Sequence, residues 1–157
     1  MARIALIKLF TGLNLAPAQL SSELQRAGHD SRIIYFKDHH IVNYDKKDEY
    51  DVTDYPGIFI DANATKKVWN CYKPVSEKEY RLLIEDLQQF KPDAIGFSVI
   101  SGIINEAGIV TKKLKEHFSV PFMWGGPGPT LEPERCIQFT DLVCVNEGED
   151  VIVELAN

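Results

Sequence analysis

The chain has 157 residues, 45% of them hydrophobic and 25% charged, which suffices for one globular core but not for two domains of ordinary size. Its formal net charge is -6 and it has no long basic run, which argues against nucleic acid as a partner. No segment approaches the roughly 20 consecutive apolar residues of a membrane span, and the N-terminus lacks the features of a signal peptide. We therefore expect a cytoplasmic protein with no membrane or nucleic-acid partner.

Cysteine and histidine usage gives no sign of a metal centre or a disulfide framework. Cys71, Cys136 and Cys144 are odd in number and widely spaced, so we expect reduced, mostly structural thiols. The adjacent His39 and His40 have no further ligands at useful spacing, which favours a solvated polar loop.

The chain begins with alternating strand and helix patterns. The nearly unbroken apolar run from Ile4 to Phe10 is typical of a central parallel strand covered on both faces. Apolar residues at helical spacing between Pro17 and Gly28 predict a helix over 16–27. A second strand is predicted over 32–36.

The segment between Lys37 and Pro74 interrupts the alternation. It is long, acidic and aromatic, whereas connections between elements usually take a few residues. It contains a possible small strand over 58–60. A functional lid over the sheet and an ordinary insertion are equally compatible with this composition.

The alternation resumes at Ser76, which forms a capping box with Glu79 and starts a helix that ends before Pro92. The remaining patterns predict a strand over 94–99, a helix over 103–114, a strand over 120–124, a short helix from Thr130 or Pro133 to 137, a strand over 142–145 and a helix over 150–155. This last helix has neither a glycine cap nor a following proline, so we expect the chain to continue in a longer parent protein.

Five strands alternating with helices predict a doubly wound parallel α/β sheet. Right-handed crossovers that cover both faces give three layers, α/β/α, and the flavodoxin-like strand order 2-1-3-4-5. We expect one domain over 1–157, with an insertion at about 37–74.

Ligands of such sheets lie beyond the carboxyl ends of the strands, which selects the loops after the five strands as the candidate site. The candidate ligand-binding residues in these loops are Thr11, Gly12, Leu13, Asn14, Ser98, Val99, Ile100, Ser101, Gly125, Gly126, Pro127, Thr130, Glu147 and Gly148.

The glycine loop after the fourth strand is the most informative. Gly125 and Gly126 leave no Cβ at the strand end, and Pro127 and Pro129 stiffen the backbone beyond it, which suits a slot for a planar ring. A tight strand-to-helix turn is the alternative.

The polar residues of the other loops also have two interpretations. Ser98 and Ser101 are suited to donating hydrogen bonds to a ligand or to capping the helix near Ile103. Glu147 and Glu149 place carboxylates beside a ligand or simply complement a helix dipole.

Three segments at predicted strand ends carry a family resemblance. They are Lys91-Pro92-Asp93-Ala94-Ile95-Gly96-Phe97-Ser98, then Trp124-Gly125-Gly126-Pro127-Gly128-Pro129-Thr130, then Asp141-Leu142-Val143-Cys144-Val145 with Glu147-Gly148-Glu149. Together they resemble the N-terminal cobalamin-binding domain of radical S-adenosylmethionine proteins. The resemblance covers most of the chain except the Lys37 to Pro74 insertion.

The resemblance implies a corrinoid over the carboxyl edge of the sheet, with its nucleotide tail near Ser98, Ser101, Gly125 and Gly126. Many corrinoid proteins of the methionine synthase type carry Asp-x-His-x-x-Gly after the first strand, whereas this chain has Thr11-Gly12-Leu13-Asn14 there. Cobalt would therefore lack a histidine ligand, and Leu13 or Asn14 would face it. The chain also departs from the family at Gly128, often histidine, and at Asn146, often glycine.

The catalytic half of that family binds S-adenosylmethionine and a four-iron cluster through Cys-x-x-x-Cys-x-x-Cys, a spacing that the three cysteines here do not supply. The resemblance thus implies a non-catalytic domain that presents cobalamin to a radical S-adenosylmethionine domain of a parent enzyme, a methyltransferase or a related enzyme.

Other functions of the same fold remain open. A flavin or nucleotide module is one, because glycine turns bind many ligands, and a ligand-free protein-interaction domain is another. A phosphorylation receiver is disfavoured because Ser98 stands where that class needs an aspartate.

Overall fold

A computed structural model describes residues 1–10, 15–37 and 75–157, together with the backbone of 59–60 and 66–67. The elements, in chain order, are β1 (Arg3–Leu9), α1 (Ala16–Arg26), β2 (Asp30–Phe36), β3 (Phe59–Ile60), β4 (Lys66–Lys67), α2 (Glu77–Phe90), β5 (Ala94–Ser98), a 3₁₀ turn (Ser101–Ile103), α3 (Ile104–Lys115), β6 (Phe122–Gly125), α4 (Pro127–Leu131), α5 (Pro133–Cys136), β7 (Leu142–Val143) and α6 (Glu149–Ala156). Strand β3 lies where a small strand was predicted and pairs antiparallel with β4. The rest of the predicted insertion, including His39 and His40, lies outside the described residues.

The main sheet has five parallel strands in the order β2-β1-β5-β6-β7. Strand β1 is an internal strand, since Leu6 pairs with Ile33 of β2 on one side and with Gly96 of β5 on the other. Counted along the chain, this is the order 2-1-3-4-5, so the predicted doubly wound, flavodoxin-like fold is confirmed. The strand order reverses between β1 and β5, and the carboxyl ends of these two strands mark the switch point.

Helices cover both faces of this sheet. On one face, helices α2 and α3 pack over a large buried cluster that includes Leu87, Leu114 and Trp124. On the other face, α1 and α6 pack over a smaller cluster of Ile4, Leu6, Leu24 and Ile152. The alternation of β1 side chains between these clusters explains why its apolar run is continuous. The helices of the described residues include none that is long and apolar enough to cross a membrane.

Most element boundaries differ by one to three residues from the sequence prediction, and two of these shifts have a local cause. Helix α4 begins at Pro127 rather than near Thr130, because Gly126 has φ 109° and turns the chain directly out of β6 into the helix. Proline at the first position of a helix loses no hydrogen bond. Strand β7 ends at Val143, two residues earlier than predicted, and Asn146 with φ 71° then turns the chain towards α6.

The start of α2 is fixed by a charged network around Glu79. The capping box predicted at Ser76 is present, and Lys37, at the end of β2, donates to both Glu79 carboxylate oxygens at 2.7 and 2.9 Å. Burial raises the pKa of Glu79, but the hydrogen bonds from Lys37 and Ser76 and the Lys37 charge outweigh it and lower this pKa from 4.5 to about 2. The network ties the end of β2 to the helix that covers the larger cluster.

We expect Glu79→Gln to lower the free energy of unfolding by about 1–2 kcal/mol at pH 7, since the pKa shift is discounted for a side chain one-third exposed. Because the folded-state pKa is depressed, this stabilisation exists above pH 4.5 and disappears as the pH falls towards about 2. Urea unfolding of both proteins from pH 7 to pH 2.5 measures it. The exposed Glu85 on the same helix supplies the control variant, Glu85→Gln. A difference that persists unchanged at pH 2.5 would contradict the assignment.

Candidate functional site

A cavity of about 260 Å³ lies under the carboxyl edge of the sheet, between the sheet and helices α1 and α6. It is lined by Leu6, Ile7, Ala16, Pro17, Leu20, Gly96, Phe97, Ser98, Met123, Gly125, Gly126, Cys144, Asn146, Glu147, Gly148, Glu149 and Ile152. Strands β1 and β5, which flank the switch point, both contribute to its floor. The cavity therefore lies where a doubly wound fold binds ligands.

Missing side chains create much of this space. Gly96, Gly125 and Gly148 line the cavity, and a Cβ built on Gly125 or Gly148 meets its nearest neighbour at 3.6 Å, an ordinary contact distance. Backbone strain does not require glycine at these two positions, since neither has a positive φ. Any side chain larger than alanine at Gly125 or Gly148 would occupy volume that is now open.

The chemistry of the lining is mainly apolar. Leu6, Leu20, Met123 and Ile152 surround the space, and the polar side chains are concentrated at the Ser98 end and in the loop after β7. Drug-sized ligands usually occupy about 300–1,000 Å³, so this cavity is suited to one apolar portion of a larger molecule. The remainder of such a molecule would lie outside it, along the strand ends.

The structure places the sequence-predicted residues in three groups. Five of them line the cavity: Ser98, Gly125, Gly126, Glu147 and Gly148. Five others lie nearby without lining it: Val99, Ile100 and Ser101 directly after β5, and Pro127 and Thr130 in α4. Thr11, Gly12, Leu13 and Asn14 lie outside the described residues.

Two glycines of the loop after β6 are needed for close backbone packing. A Cβ on Gly126 would lie 2.9 Å from the carbonyl oxygen of Val99, and one on Gly128 would lie 2.9 Å from the carbonyl carbon of Ile100. The Gly128 N–H donates to the same Val99 oxygen at 2.9 Å. The tight strand-to-helix turn considered as an alternative is therefore present, and its neighbour Gly125 lines the cavity as well. Gly128, where the chain departs from the histidine that is frequent in the family it resembles, has no room for a side chain.

Thr130 connects the two loops on either side of the cavity mouth. Its hydroxyl donates to the Gly126 carbonyl at 2.9 Å and accepts from the Asn146 N–H at 3.0 Å. The hydroxyl proton is thus committed within the protein. Thr130 positions the loop that carries Glu147 and Gly148.

Ser101 lies near the Glu132 carboxylate. The hydrogen bond and the charge of Arg135, and to a smaller extent Ser101, lower the pKa of Glu132. The expected alternative role as a helix cap is absent, because no side chain caps the 3₁₀ turn or α3.

A thiol that the sequence reasoning treated as structural lines the cavity. Cys144 is 7% exposed, and its Sγ lies 3.6 Å from the carbonyl oxygen of Glu147. Burial, and secondarily the charge of Glu149, raise the pKa of this thiol. The group is therefore a neutral thiol at physiological pH. Within the described residues, no three histidine, cysteine or acidic side chains are grouped so as to hold a metal ion.

The main omission of the sequence reasoning is the wall formed by α1 and α6. Ala16, Pro17, Leu20 and Ile152 line the cavity, but in the sequence their apolar stripes only indicate a buried helix face. Gly96 did offer a signal, since an isolated glycine within an apolar strand often marks close approach of another group.

The family model of the B12 binding domain matches residues 14–156 of the chain. The chain belongs to the B12-binding domain family. The resemblance of the three strand-end segments to a cobalamin-binding domain is thereby confirmed, and the cavity at the switch point is the cavity of a B12-binding domain. No curated protein shows a significant match to the chain.

Solved structures share the fold of this B12-binding domain. One is the radical S-adenosylmethionine methyltransferase TsrM from Kitasatospora setae with tryptophan substrate and an S-adenosylmethionine analogue bound (TM-score 0.64, 12% identity). Another is the cobalamin-dependent S-adenosylmethionine radical enzyme OxsB in its apo form (TM-score 0.57, 20% identity). Each match covers 99% of this chain, but only 25% of the TsrM chain and 19% of the OxsB chain. The chain thus spans a quarter or less of these two proteins.

Proposed function

We propose that this domain binds cobalamin with the nucleotide tail in the cavity between α1 and α6 and the corrin ring across the carboxyl ends of the strands. The observation that carries the proposal is the apolar cavity of about 260 Å³ at the switch point of a B12-binding domain. A cavity of this size suits the aromatic base of the tail, whereas the whole corrinoid requires the open surface above it.

The residues around the cavity fit such a tail. Gly125 and Gly148 leave space for a flat ring, Leu20 and Met123 provide apolar contacts, and the half-buried Ser98 offers a hydroxyl to a ring nitrogen. The corrin ring would then lie over the remaining predicted residues: Thr11, Gly12, Leu13, Asn14, Val99, Ile100, Ser101, Pro127 and Thr130.

We further propose that no protein histidine binds cobalt in this domain. The loop after β1 contains no histidine in its sequence, and neither do the loops after β5, β6 and β7. Of the four histidines, His29 lies at the start of β2 and His117 follows α3, both at the amino edge of the sheet, whereas His39 and His40 follow β2 and not β1 in the sequence. Leu13 or Asn14 would face the metal instead.

The domain would act as a cofactor carrier and not as a catalyst by itself. Bound cobalamin supplies a cobalt centre for methyl transfer or electron transfer, and the protein residues described above hold and shield it. A radical S-adenosylmethionine domain with a four-iron cluster, in a longer parent protein, would be the partner. This part of the proposal is supported by the fold shared with TsrM and OxsB and by the small share of those chains that the domain spans.

The test is a binding measurement on the purified chain. The protein is incubated with hydroxocobalamin, desalted, and examined by visible absorption, in parallel with Ser98→Tyr, which fills the cavity, and Ser119→Tyr, the same change at an exposed position at the amino edge. We expect the parent and Ser119→Tyr to retain the corrinoid and Ser98→Tyr to bind at least about 100-fold more weakly, a loss of about 2.7 kcal/mol.

Two outcomes would contradict the proposal. A parent protein that emerges colourless at hydroxocobalamin concentrations well above micromolar does not carry cobalamin. Equal retention by Ser98→Tyr places the ligand outside the cavity. The same experiment with flavin mononucleotide tests the alternative ligand class, and retention of the flavin alone would identify a flavin module.

A further inference from the structure

The carboxyl edge of the sheet holds a buried cation whose function the cavity alone does not explain. Lys8, near the end of β1, is 7% exposed. Lysine is almost never buried to this degree unless its charge is compensated. Burial accordingly lowers the pKa of Lys8 below its ordinary value. Removing the Lys8 ammonium from water in an internal strand costs free energy.

Lys8 lies on the face of β1 that lines the cavity. Side chains alternate along a strand, so Lys8 shares a face with Ile4 and Leu6, which belong to the cluster under α1 and α6. Leu6 lines the cavity, and Lys8 follows two residues later, about 7 Å towards the carboxyl end. In the neighbouring strand Lys8 pairs in register with Ser98, which also lines the cavity. Lys8 does not itself line the cavity, but it lies next to two residues that do, Ile7 in the same strand and Ser98 in the neighbouring one, on the side of the carboxyl edge.

Lys8 is a cation near a cavity whose charged lining residues are acidic. Glu147 and Glu149 line the cavity, and the chain carries a net charge of -6. Lys8 and Lys37 stand at the carboxyl ends of β1 and β2, and Lys37 donates to both oxygens of Glu79. An anionic group that enters the cavity would meet two carboxylates, and Lys8 is a nearby cation that would offset them.

We propose that Lys8 binds the phosphodiester of the nucleotide tail and so selects intact cobalamin over corrinoids that lack the tail. This inference rests on the proposed function, because it takes the tail to lie in the cavity. Lys8 also makes a contact within the chain. A lysine ammonium has three donors, so a contact within the chain and one to a phosphate oxygen are compatible. The base would enter the apolar cavity while the phosphate stays at the mouth.

The test compares two ligands and three proteins. Hydroxocobalamin contains the phosphodiester and the base, whereas diaquocobinamide has the same corrin ring without either. Dissociation constants are measured by visible titration for the parent, Lys8→Met and Lys8→Arg. We expect Lys8→Met to bind hydroxocobalamin at least about tenfold more weakly and diaquocobinamide within about twofold of the parent, and Lys8→Arg to stay close to the parent for both.

Three results overturn the inference, and they differ from one another. If the parent binds both ligands and Lys8→Met binds hydroxocobalamin as tightly as the parent does, Lys8 has no role in recognition while the proposed function stands. If Lys8→Met weakens the binding of both ligands equally, Lys8 supports the fold and does not recognise the tail. If the parent binds neither, the proposed function fails too. Thermal unfolding checks each variant, and Lys8→Gln replaces Lys8→Met if the latter does not fold.

Discussion

Replacing Gly126 with alanine should lower the free energy of unfolding by about 2–5 kcal/mol, the largest loss of stability that we expect from removing a single glycine. Gly126 has φ 109° and ψ -170°, a backbone conformation that is essentially restricted to glycine. An added Cβ would also lie 2.9 Å from the Val99 carbonyl oxygen, which accepts the Gly128 N–H. The methyl group therefore strains the turn and pushes apart two loops at the carboxyl edge.

The adjacent Gly125→Ala is the matched control. Gly125 has no positive φ, and its Cβ would lie 3.6 Å from the Cys144 Cβ. We expect its stability to remain unchanged or to rise by up to about 1 kcal/mol, because alanine restricts the unfolded chain. Chemical denaturation with urea measures both variants. Equal stability of Gly126→Ala and Gly125→Ala would show that the loop after β6 relaxes without cost and that its close packing does not require glycine.

Gly108→Ala should destabilise the protein by about 1–2 kcal/mol, although alanine is the better helix former by about 1 kcal/mol. Gly108 lies inside α3, and its Cβ would meet three atoms of the Phe139 ring at 2.6 to 2.9 Å. That ring stacks on Trp124 at 5.6 Å between centroids, and the Trp124 indole N–H donates to Thr111 at 3.1 Å. Because Trp124 is fully buried, the Phe139 ring cannot move towards it without disturbing the core, although Phe139 itself is only half-buried.

The decisive observation is whether Gly108→Ala lowers or raises the free energy of unfolding. Gly102→Ala, in the 3₁₀ turn, is the control, because its Cβ would meet nothing within 4 Å. Thermal and urea unfolding of both variants should place Gly102→Ala at or slightly above the parent and Gly108→Ala below it. A stabilised Gly108→Ala would mean that helix propensity outweighs the contact with Phe139.

The strand order and most element positions can be predicted from local patterns in the sequence. The apolar run of β1 indicates a strand covered on both faces, and the spacing of Ser76 and Glu79 locates the start of α2. The right-handed crossover then leaves few arrangements of five alternating strands. Because these rules use neighbouring residues and chain handedness only, they hold without knowledge of tertiary contacts.

The shape of the cavity could not be predicted in the same way. Leu20 and Ile152 are apolar for the same reason as any core residue, and nothing in their spacing shows that α1 and α6 leave open space over Gly96. Lys8 appeared only as one polar residue in an apolar strand, and its burial depends on how the helices cover the sheet. Cys144 was interpreted as a structural thiol from the odd number and wide spacing of the cysteines, and its contacts with Glu147 and Gly148 arise only in the folded chain.

The two faces of the sheet differ in the number of buried side chains, and this difference affects how cooperatively the domain unfolds. Among the described residues, the buried cluster under α1 and α6 consists of Ile4, Leu6, Leu24 and Ile152, far fewer than on the opposite face. The cavity lies on this sparsely packed side. Backbone amides of α1 and α6 should therefore exchange with solvent through local openings while α2 and α3 exchange only on global unfolding. An apolar group that enters the cavity would act as an additional core residue and make the opening of α1 and α6 as costly as unfolding of the whole domain.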